Sequence, residues 1–124
     1  MKILVVDDEQ DMQTLFQQRF RKEIKNGVVD FAFSTSGEEA LHYLQQHFHE
    51  VVLILSDINM PTMSGFELLK QIKQGFYDSP PIVMMITAYG DADSYTQAMN
   101  LGADDFLTKP IDFNELKLKL KIAS

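Results

Sequence analysis

Residues 1–10 read M-K-I-L-V-V-D-D-E-Q, and this stretch decides the fold. Ile3 to Val6 form a short apolar run without polar alternation, which is typical of a strand buried on both faces of a parallel sheet. The run ends in three acidic side chains, Asp7, Asp8 and Glu9. Because neighbouring carboxylates make one another harder to ionise, the sequence calls for something nearby that offsets their charge.

Similar apolar runs alternate with segments of helical periodicity along the whole chain. One of them, V-V-D-F-A-F, carries an acidic residue in its middle and is predicted to be an edge strand. Five such strand–helix repeats without a linker or internal duplication predict one open α/β sheet. The predicted strands are Ile3–Val6, Val28–Phe33, Val51–Leu55, Ile82–Ile86 and Asp105–Leu107.

The helices between these strands have recognisable starts and ends. Ser36, Ser64 and Asp112 each begin a capping box, in which a side-chain oxygen accepts from the backbone three residues on. Gly27, Gly75 and Gly102 follow the first, third and fourth predicted helices, where a left-handed residue would end them.

The inner faces of the helices are predicted from apolar spacing. The first helix spans roughly Asp11–Lys25, and the fourth spans about Asp91–Leu101. Residues predicted to face the core are Met12, Leu15, Phe16, Phe20 and Ile24 in the first helix, Ala92, Tyr95, Ala98 and Met99 in the fourth, and Leu116, Leu118 and Leu120 in the fifth.

Composition narrows the classes of function. A length of 124 residues suits a single domain over residues 1–124. The chain has no apolar run long enough to span a membrane and no cysteine, and we expect a cytoplasmic protein. A net charge of −7 argues against direct nucleic-acid binding. His42 and His47 are five residues apart and do not share a helix face, so surface or packing roles are expected for them.

Chemically active side chains follow four of the five predicted strands. Asp7 and Asp8 follow the first, Asp57 the third, Thr87 the fourth and Lys109 the fifth. Each alone has an ordinary explanation as a helix cap, a loop hydroxyl or a solvated lysine, but the carboxyl ends of parallel strands share one edge. Three converging carboxylates favour a hard cation such as Mg²⁺, and the hydroxyl and ammonium suit phosphoryl oxygens. The predicted chemistry is Mg²⁺-assisted phosphoryl transfer to a carboxylate.

Four motifs carry a family resemblance, in order and spacing: I-L-V-V-D-D-E, L-S-D-I-N-M-P-T-M-S-G-F-E, I-T-A and L-G-A-D-D-F-L-T-K-P. From Lys2 to about Leu120 the chain closely resembles the receiver domains of two-component response regulators. The resemblance implies a flavodoxin-like, doubly wound (βα)5 three-layer sandwich, with a five-stranded parallel sheet of order 2-1-3-4-5.

The resemblance also implies roles for the acidic residues. Asp57 matches the phosphoacceptor, Asp8 the direct metal ligand, and Asp7 the neighbour that holds the metal through water. The backbone carbonyl of Asn59 matches the third protein ligand, and its side chain matches a position that tunes hydrolysis. The implied ion is Mg²⁺, with Mn²⁺ as the alternative. Glu9 matches no functional position and is interpreted as first-turn helix chemistry.

Further roles follow in the same way. Thr87 and Lys109 match the hydroxyl and the ammonium that bind the phosphoryl group. Thr87 and Phe106 match the switch pair, although tyrosine is common at the position of Phe106. Tyr89 matches a second tuning position, and Pro110 matches a proline whose preceding bond is usually cis.

The implied function is a phosphorylation-activated switch in a phosphorelay, which catalyses only its own phosphoryl transfer and dephosphorylation. The donor would be a histidine kinase or a histidine phosphotransfer domain. The output would be a downstream effector domain or protein, through the face made by the fourth helix, fifth strand and fifth helix. A phosphorylation-dependent dimer on that face would have to pair lysines of the fifth helix with nearby aspartates. The alternative is that those lysines are simply solvated. The lysines are Lys117, Lys119 and Lys121, and the aspartates are Asp91, Asp93, Asp104 and Asp105.

Two alternatives remain. A small Mg²⁺-dependent phosphatase with an aspartate nucleophile would share the acids, the lysine and the metal, but its motif at the first strand differs from D-D-E-Q. A pseudo-receiver would serve only as an interaction module, and it would lack one of the five chemical residues, all of which are present. No phosphate-binding glycine motif of a nucleotide-binding protein occurs.

Overall fold

The fold is a parallel sheet of five strands in the order β2-β1-β3-β4-β5, in a computed structural model that describes residues 1–47, 49–75, 80–87 and 92–121. The strands are β1 (Lys2–Val6), β2 (Asp30–Ser34), β3 (Val51–Asp57), β4 (Ile82–Thr87) and β5 (Asp105–Thr108). The helices are α1 (Asp11–Arg19), α2 (Arg21–Lys25), α3 (Gly37–His47), α4 (Gly65–Gly75), α5 (Ala92–Asn100) and α6 (Phe113–Lys119). None of these helices is long and apolar enough to cross a membrane. The predicted fold class and strand order are confirmed, whereas the cytoplasmic location stays a prediction.

Each face of the sheet carries its own hydrophobic cluster. Ile3 and Val5 point to one face and pack with residues of α1, α2 and α6. Leu4 and Val6 point to the other face and pack with α3, α4 and α5. Helices therefore cover both faces of β1, which is why its sequence is uniformly apolar rather than alternating.

The strands differ from the prediction mainly at their ends. β2 is the edge strand, as predicted, but it begins at Asp30 rather than Val28. β3 continues two residues beyond the predicted end, and its last residue, Asp57, pairs in register with Ile86 of β4. Asp57 is thus held within the sheet rather than in the loop that follows it.

The helix predicted over Asp11–Lys25 is divided in two at Phe20, where φ is −109° and ψ is 19°. The ring of Phe20 is fully buried, and it lies 5.9 Å from the ring of Phe16 and 5.0 Å from that of Phe31. The four-residue spacing of Phe16 and Phe20 favours one continuous helix. That spacing does not show the departure from helical geometry at Phe20, where the ring packs against β2 as well as against α1.

The predicted helix starts are present in the structure. The hydroxyls of Ser36 and Ser64 accept from backbone N–H groups three residues on, at 3.1 and 3.2 Å, and the carboxylate of Asp112 accepts two such bonds. Gly27 and Gly102 have the expected positive φ. The prediction for Gly75 is wrong, because this residue is the last one of α4 and has no positive φ.

Helices α5 and α6 bury fewer apolar side chains than predicted. In α5 only Ala98 is buried, while Ala92, Tyr95 and Met99 are exposed. In α6 the side chain of Leu118 is 77% exposed, although Leu116 and Leu120 are buried. The inner faces predicted for these two helices are therefore wrong in part, because apolar spacing does not show how closely a helix lies against the sheet.

A buried ion pair joins α2 to α6. Glu23 is buried, and one of its carboxylate oxygens lies 3.1 Å from the ammonium of Lys117. Burial alone would raise the pKa of Glu23, but hydrogen bonding and attraction to Lys117 outweigh it, so that the pKa is lowered from 4.5. The prediction that Lys117 is solvated or forms pairs across a dimer is wrong, because this lysine is paired within the molecule.

We expect Lys117→Met to lower the free energy of unfolding by about 3 kcal/mol at pH 7, because it leaves a buried carboxylate without its cation. In the wild type the pKa of Glu23 is lowered, so its ionised form stabilises the fold above about pH 4.5 and this contribution disappears as the pH falls. In the variant burial raises the pKa instead, so the penalty shrinks as the pH falls. Urea unfolding near pH 7 and pH 4 measures the difference.

Lys119→Met is the matched control, because Lys119 lies 2.9 Å from the more exposed Asp105. Breaking such a pair is expected to cost at most about 1 kcal/mol. Equal losses of unfolding free energy in the two variants would contradict the assignment of Glu23 and Lys117 as a buried ion pair. A larger loss at pH 4 than at pH 7 for Lys117→Met would also contradict it.

Candidate functional site

Three carboxylates converge at the carboxyl edge of the sheet. Asp7 and Asp8 follow β1, and Asp57 ends β3. One oxygen of each lies within 4.8 Å of the others. Asp7 and Asp57 are each only 5% exposed, whereas Asp8 is exposed. The convergence expected from strand order is therefore present, with two buried acids and one that faces solvent.

Asp7 is the most firmly held of the three. Its backbone N–H donates to the carbonyl of Ser34 at the end of β2. Its carboxylate accepts from the backbone N–H of Glu9 and from the ammonium of Lys109, both at 2.9 Å. Every oxygen of the side chain thus has a partner, so Asp7 fixes the position of Lys109 as well as contributing charge.

Lys109 is the cation of the site. Its ammonium lies 2.9 Å from Asp7, 3.4 Å from Asp57 and 3.6 Å from Glu9. Burial by itself would lower the pKa of Lys109, but the surrounding carboxylates outweigh it and raise the pKa. The lysine therefore remains an ammonium beside the acids.

Glu9 differs from its sequence interpretation. It precedes Gln10, the residue that flanks the start of α1, so it does not belong to the first turn of that helix. One oxygen of its carboxylate lies 3.6 Å from the ammonium of Lys109 instead. In the sequence, only the position of Glu9 directly after the two aspartates pointed to this contact.

The negative charge of the Asp57 carboxylate is less well compensated than that of Asp7. Burial raises its pKa, and the negative charge of Asp7 adds to this effect. Lys109 and the backbone N–H of Asn59 act in the opposite direction without cancelling it. The site thus retains an excess of negative charge around Asp57, which a further cation would neutralise.

The loop after β3 passes very close to Asp57. A Cβ added to Gly65 would overlap the carbonyl oxygen of Asp57 and lie 2.7 Å from the Cα of Ile58. The N–H of Gly65 donates to the carbonyl of Ile58 at 2.7 Å. Only a residue without a side chain permits this approach, which gives a structural reason for the glycine of M-S-G-F-E.

The same loop holds one residue in a rare backbone conformation. Thr62 has a φ of 64°, an outlier for a β-branched residue. Its hydroxyl lies 3.0 Å from a carboxylate oxygen of Glu38 in the first turn of α3. The loop is therefore attached to α3 as well as to β3, a contact that motif spacing did not reveal.

Thr87 and Lys109 are joined through the backbone. Thr87 is buried at the end of β4, and its carbonyl accepts from the N–H of Lys109 at 2.6 Å. The Lys109–Pro110 bond is cis. Phe106 is half-buried in β5, and its ring meets that of Tyr95 edge-to-face, with centroids 5.6 Å apart. Tyr89 lies outside the described residues.

The donor set fits a hard divalent cation. Asp7, Asp8 and Asp57 offer only oxygen atoms, and the exposed Asp8 leaves one side of the cluster open to solvent. The excess negative charge near Asp57 is what such an ion would offset. These three residues are therefore the group within the described chain that could hold a metal.

Comparison with known proteins agrees with this geometry. The family model of the response regulator receiver domain matches residues 3–121. The response regulator RppA of Synechocystis is 34% identical, over 98% of this chain and 49% of its own length, so the chain spans about half of that relative.

Two solved structures extend the comparison. A response regulator receiver domain from Clostridium thermocellum has a TM-score of 0.83 at 26% identity, covering 97% of this chain and 90% of that one. The Saccharomyces cerevisiae co-crystal of the histidine phosphotransfer protein Ypd1 with the receiver domain of Ssk1 contains a chain with a TM-score of 0.85 at 25% identity, covering 98% and 86%. With the acids and the lysine gathered at one edge of a doubly wound sheet, the chain belongs to the response regulator receiver domain family.

Proposed function

We propose that this chain is a phosphorylation-activated switch that accepts a phosphoryl group on Asp57, within one receiver domain over residues 1–124. The observation that carries the proposal is the position of the Asp57 carboxylate, buried among Asp7, Asp8 and Lys109 at the open edge of the sheet. A carboxylate there can act as a nucleophile if the charge of the incoming group is offset.

Asp7, Asp8, Asp57 and the backbone carbonyl of Asn59 would hold Mg²⁺, or Mn²⁺ as the alternative. Bound there, the ion supplies charge neutralisation and orients the reacting oxygens. Asp8 would hold the ion directly and Asp7 would hold it through water. The engagement of both Asp7 oxygens by Glu9 and Lys109 supports this division of roles.

In the transfer step, an oxygen of Asp57 forms a bond to phosphorus while the bond between phosphorus and the donor's imidazole nitrogen breaks. The electron pair of that bond stays with the imidazole. Lys109 is already an ammonium 3.4 Å from Asp57, so it can bind a phosphoryl oxygen without taking up a proton. The Thr87 hydroxyl donates to a second oxygen. The exposed side chain of Asn59, together with Tyr89, tunes the hydrolysis of the product.

Phosphorylation would be transmitted through the switch pair Thr87 and Phe106. Movement of the Thr87 side chain toward the phosphoryl group leaves space beside Met85 and Phe106, which pair in register across β4 and β5. Inward movement of the Phe106 ring would end its edge contact with Tyr95 and alter the face formed by α5, β5 and α6. This is a local charge change that biases a packed element between two arrangements.

That face would contact the downstream effector domain or protein, and it would form any phosphorylation-dependent dimer. Tyr95 and Leu118 are exposed on it. Two ion pairs already lie within the molecule, Lys119 with Asp105 and Lys73 with Asp104. A dimer that uses Lys119 must therefore exchange its pair with Asp105 for a contact between molecules, whereas Leu118 needs no such exchange.

The proposal predicts that Mg²⁺ and acetyl phosphate add one phosphoryl group to the chain, measured as intact mass. Asp57→Asn should abolish the adduct, because an amide lacks the nucleophilic carboxylate. Thr62→Ser is the control, since it retains the hydroxyl that contacts Glu38 and leaves the nucleophile untouched. Continuous release of phosphate from unrelated phosphoesters, without a stable adduct, would favour the alternative of an aspartate-nucleophile phosphatase.

A phosphoprotein donor also needs a docking surface beside Asp57. A groove of about 480 Å³ begins at Glu9 and Lys109 and runs between α1 and the segment that precedes α6. Its apolar lining includes Leu15 and Ile111. An apolar groove that begins at the lysine of the site suits a helix of a histidine kinase or histidine phosphotransfer domain that carries the phosphohistidine.

Leu15→Ala combined with Ile111→Ala should slow phosphoryl transfer from a phosphorylated histidine phosphotransfer protein at least about tenfold, because two apolar contacts are removed from the groove. Labelling by acetyl phosphate should be unchanged, since a small donor needs no groove. Leu41→Ala, a half-buried position on the other face of the sheet, is the matched control. Equal slowing with both donors would show damage to the site itself and would reject the docking surface.

A further inference from the structure

A group of basic side chains surrounds the junction of α1 and α2, on a chain whose net charge is −7. This basic junction consists of Arg19, Arg21, Lys22, Lys25 and Lys117, five of the eleven Lys and Arg residues. Together with Gln18 and Glu23 they line an open depression of about 460 Å³. The group lies beyond the carboxyl end of α1, whereas the phosphoryl site lies before its amino end.

Three of the five cations in the basic junction lack the acidic partner that four lysines elsewhere in the fold have. Arg21, Lys22 and Lys25 form no ion pair with any carboxylate in the described ranges, although the chain has 18 Asp and Glu residues. Lys70 and Lys121 are also unpaired in those ranges, but they stand apart, whereas the three cations of the junction lie within the five residues of α2. Ion pairs outside the basic junction are Lys2–Asp30, Lys73–Asp104, Lys109–Asp7 and Lys119–Asp105.

Glu23 is the one carboxylate among the residues that line the depression. One of its oxygens faces Lys117, but the other, Oε1, is buried with no hydrogen-bond partner among the described residues. A buried acceptor without a donor is unfavourable. Because Oε1 is shielded from solvent and the other oxygen faces Lys117, Glu23 does not compensate the exposed cations of the depression. Arg21, Lys22 and Lys25 are therefore the groups that an acidic peptide would complement.

We propose that the basic junction docks a short acidic segment of a partner protein, with its carboxylates against Arg21, Lys22 and Lys25. Helix α2, from Arg21 to Lys25, rises by about 6 Å along its axis, which matches about three extended residues. A long nucleic acid or an anionic membrane would extend past this stretch to the acidic remainder of the chain, where like charges repel within about 10 Å. The surface is separate from Asp57, so its occupation does not depend on phosphoryl chemistry.

Titration of the ¹⁵N-labelled chain with a short glutamate-only peptide, followed by amide chemical shifts at low salt, tests the proposal. Shifts should concentrate at residues 18–25 and at Lys117. Arg21→Glu combined with Lys22→Glu should raise the dissociation constant at least about fivefold, because two attractive contacts become repulsive. Both positions are exposed, and unchanged urea unfolding checks that the fold is retained.

Lys70→Glu is the control, because Lys70 is exposed on α4 and the substitution makes the same change in charge per residue on the other face of the sheet. An equal effect of Lys70→Glu, absence of binding, or shifts spread over all lysines would overturn the proposal. Duplex DNA and phosphatidylserine vesicles are titrated in parallel. Tighter binding of either one than of the peptide, at equal ionic strength, would also overturn it.

Discussion

The contact between the Lys109 ammonium and the carboxylates of Asp7 and Asp57 is the interaction on which the rest of the site depends. It joins the ends of β1, β3 and β5, three strands that do not all adjoin one another in the sheet. Without this cation the two buried acids would repel each other in a poorly solvated position. Burial and the neighbouring charge of Asp7 together raise the pKa of Asp57 despite the attraction of Lys109, so Asp57 still lacks sufficient positive charge beside it.

The sequence was sufficient for what depends on strand order. Uniformly apolar strands indicated one open parallel α/β sheet, and the family resemblance implied its doubly wound strand order. That topology brings Asp7, Asp8 and Asp57 to one edge. Contacts that depend on how the loops and helices lie against the sheet were not predictable from strand order. The approach of Glu9 to Lys109, the overlap that excludes a side chain at Gly65 and the burial of Glu23 depend on loop geometry and helix placement. Apolar spacing likewise failed for Tyr95 and Leu118, because it describes one helix and not its distance from the sheet.

The distribution of charge divides the surface into two parts. The carboxyl edge of the sheet concentrates acids around a single lysine, whereas the far end of α1 concentrates bases around a single buried glutamate. Each part leaves charge without full compensation, the carboxylate of Asp57 at the edge and the cations Arg21, Lys22 and Lys25 at the basic junction. The excess of carboxylates indicates that a cation completes the edge, and the excess of cations indicates that an anionic partner completes the basic junction.

The most direct test of this account is thermal unfolding of the wild type with and without Mg²⁺. An ion that binds only the folded acidic cluster raises the melting temperature with concentration by mass action. Asp8→Asn should show a much smaller rise, because it removes the exposed carboxylate of the cluster and leaves the buried Asp7–Lys109 contact in place. A wild-type melting temperature that does not change with millimolar Mg²⁺, or an equal rise in the Asp8→Asn variant, would contradict the assignment of the acidic edge as a metal site.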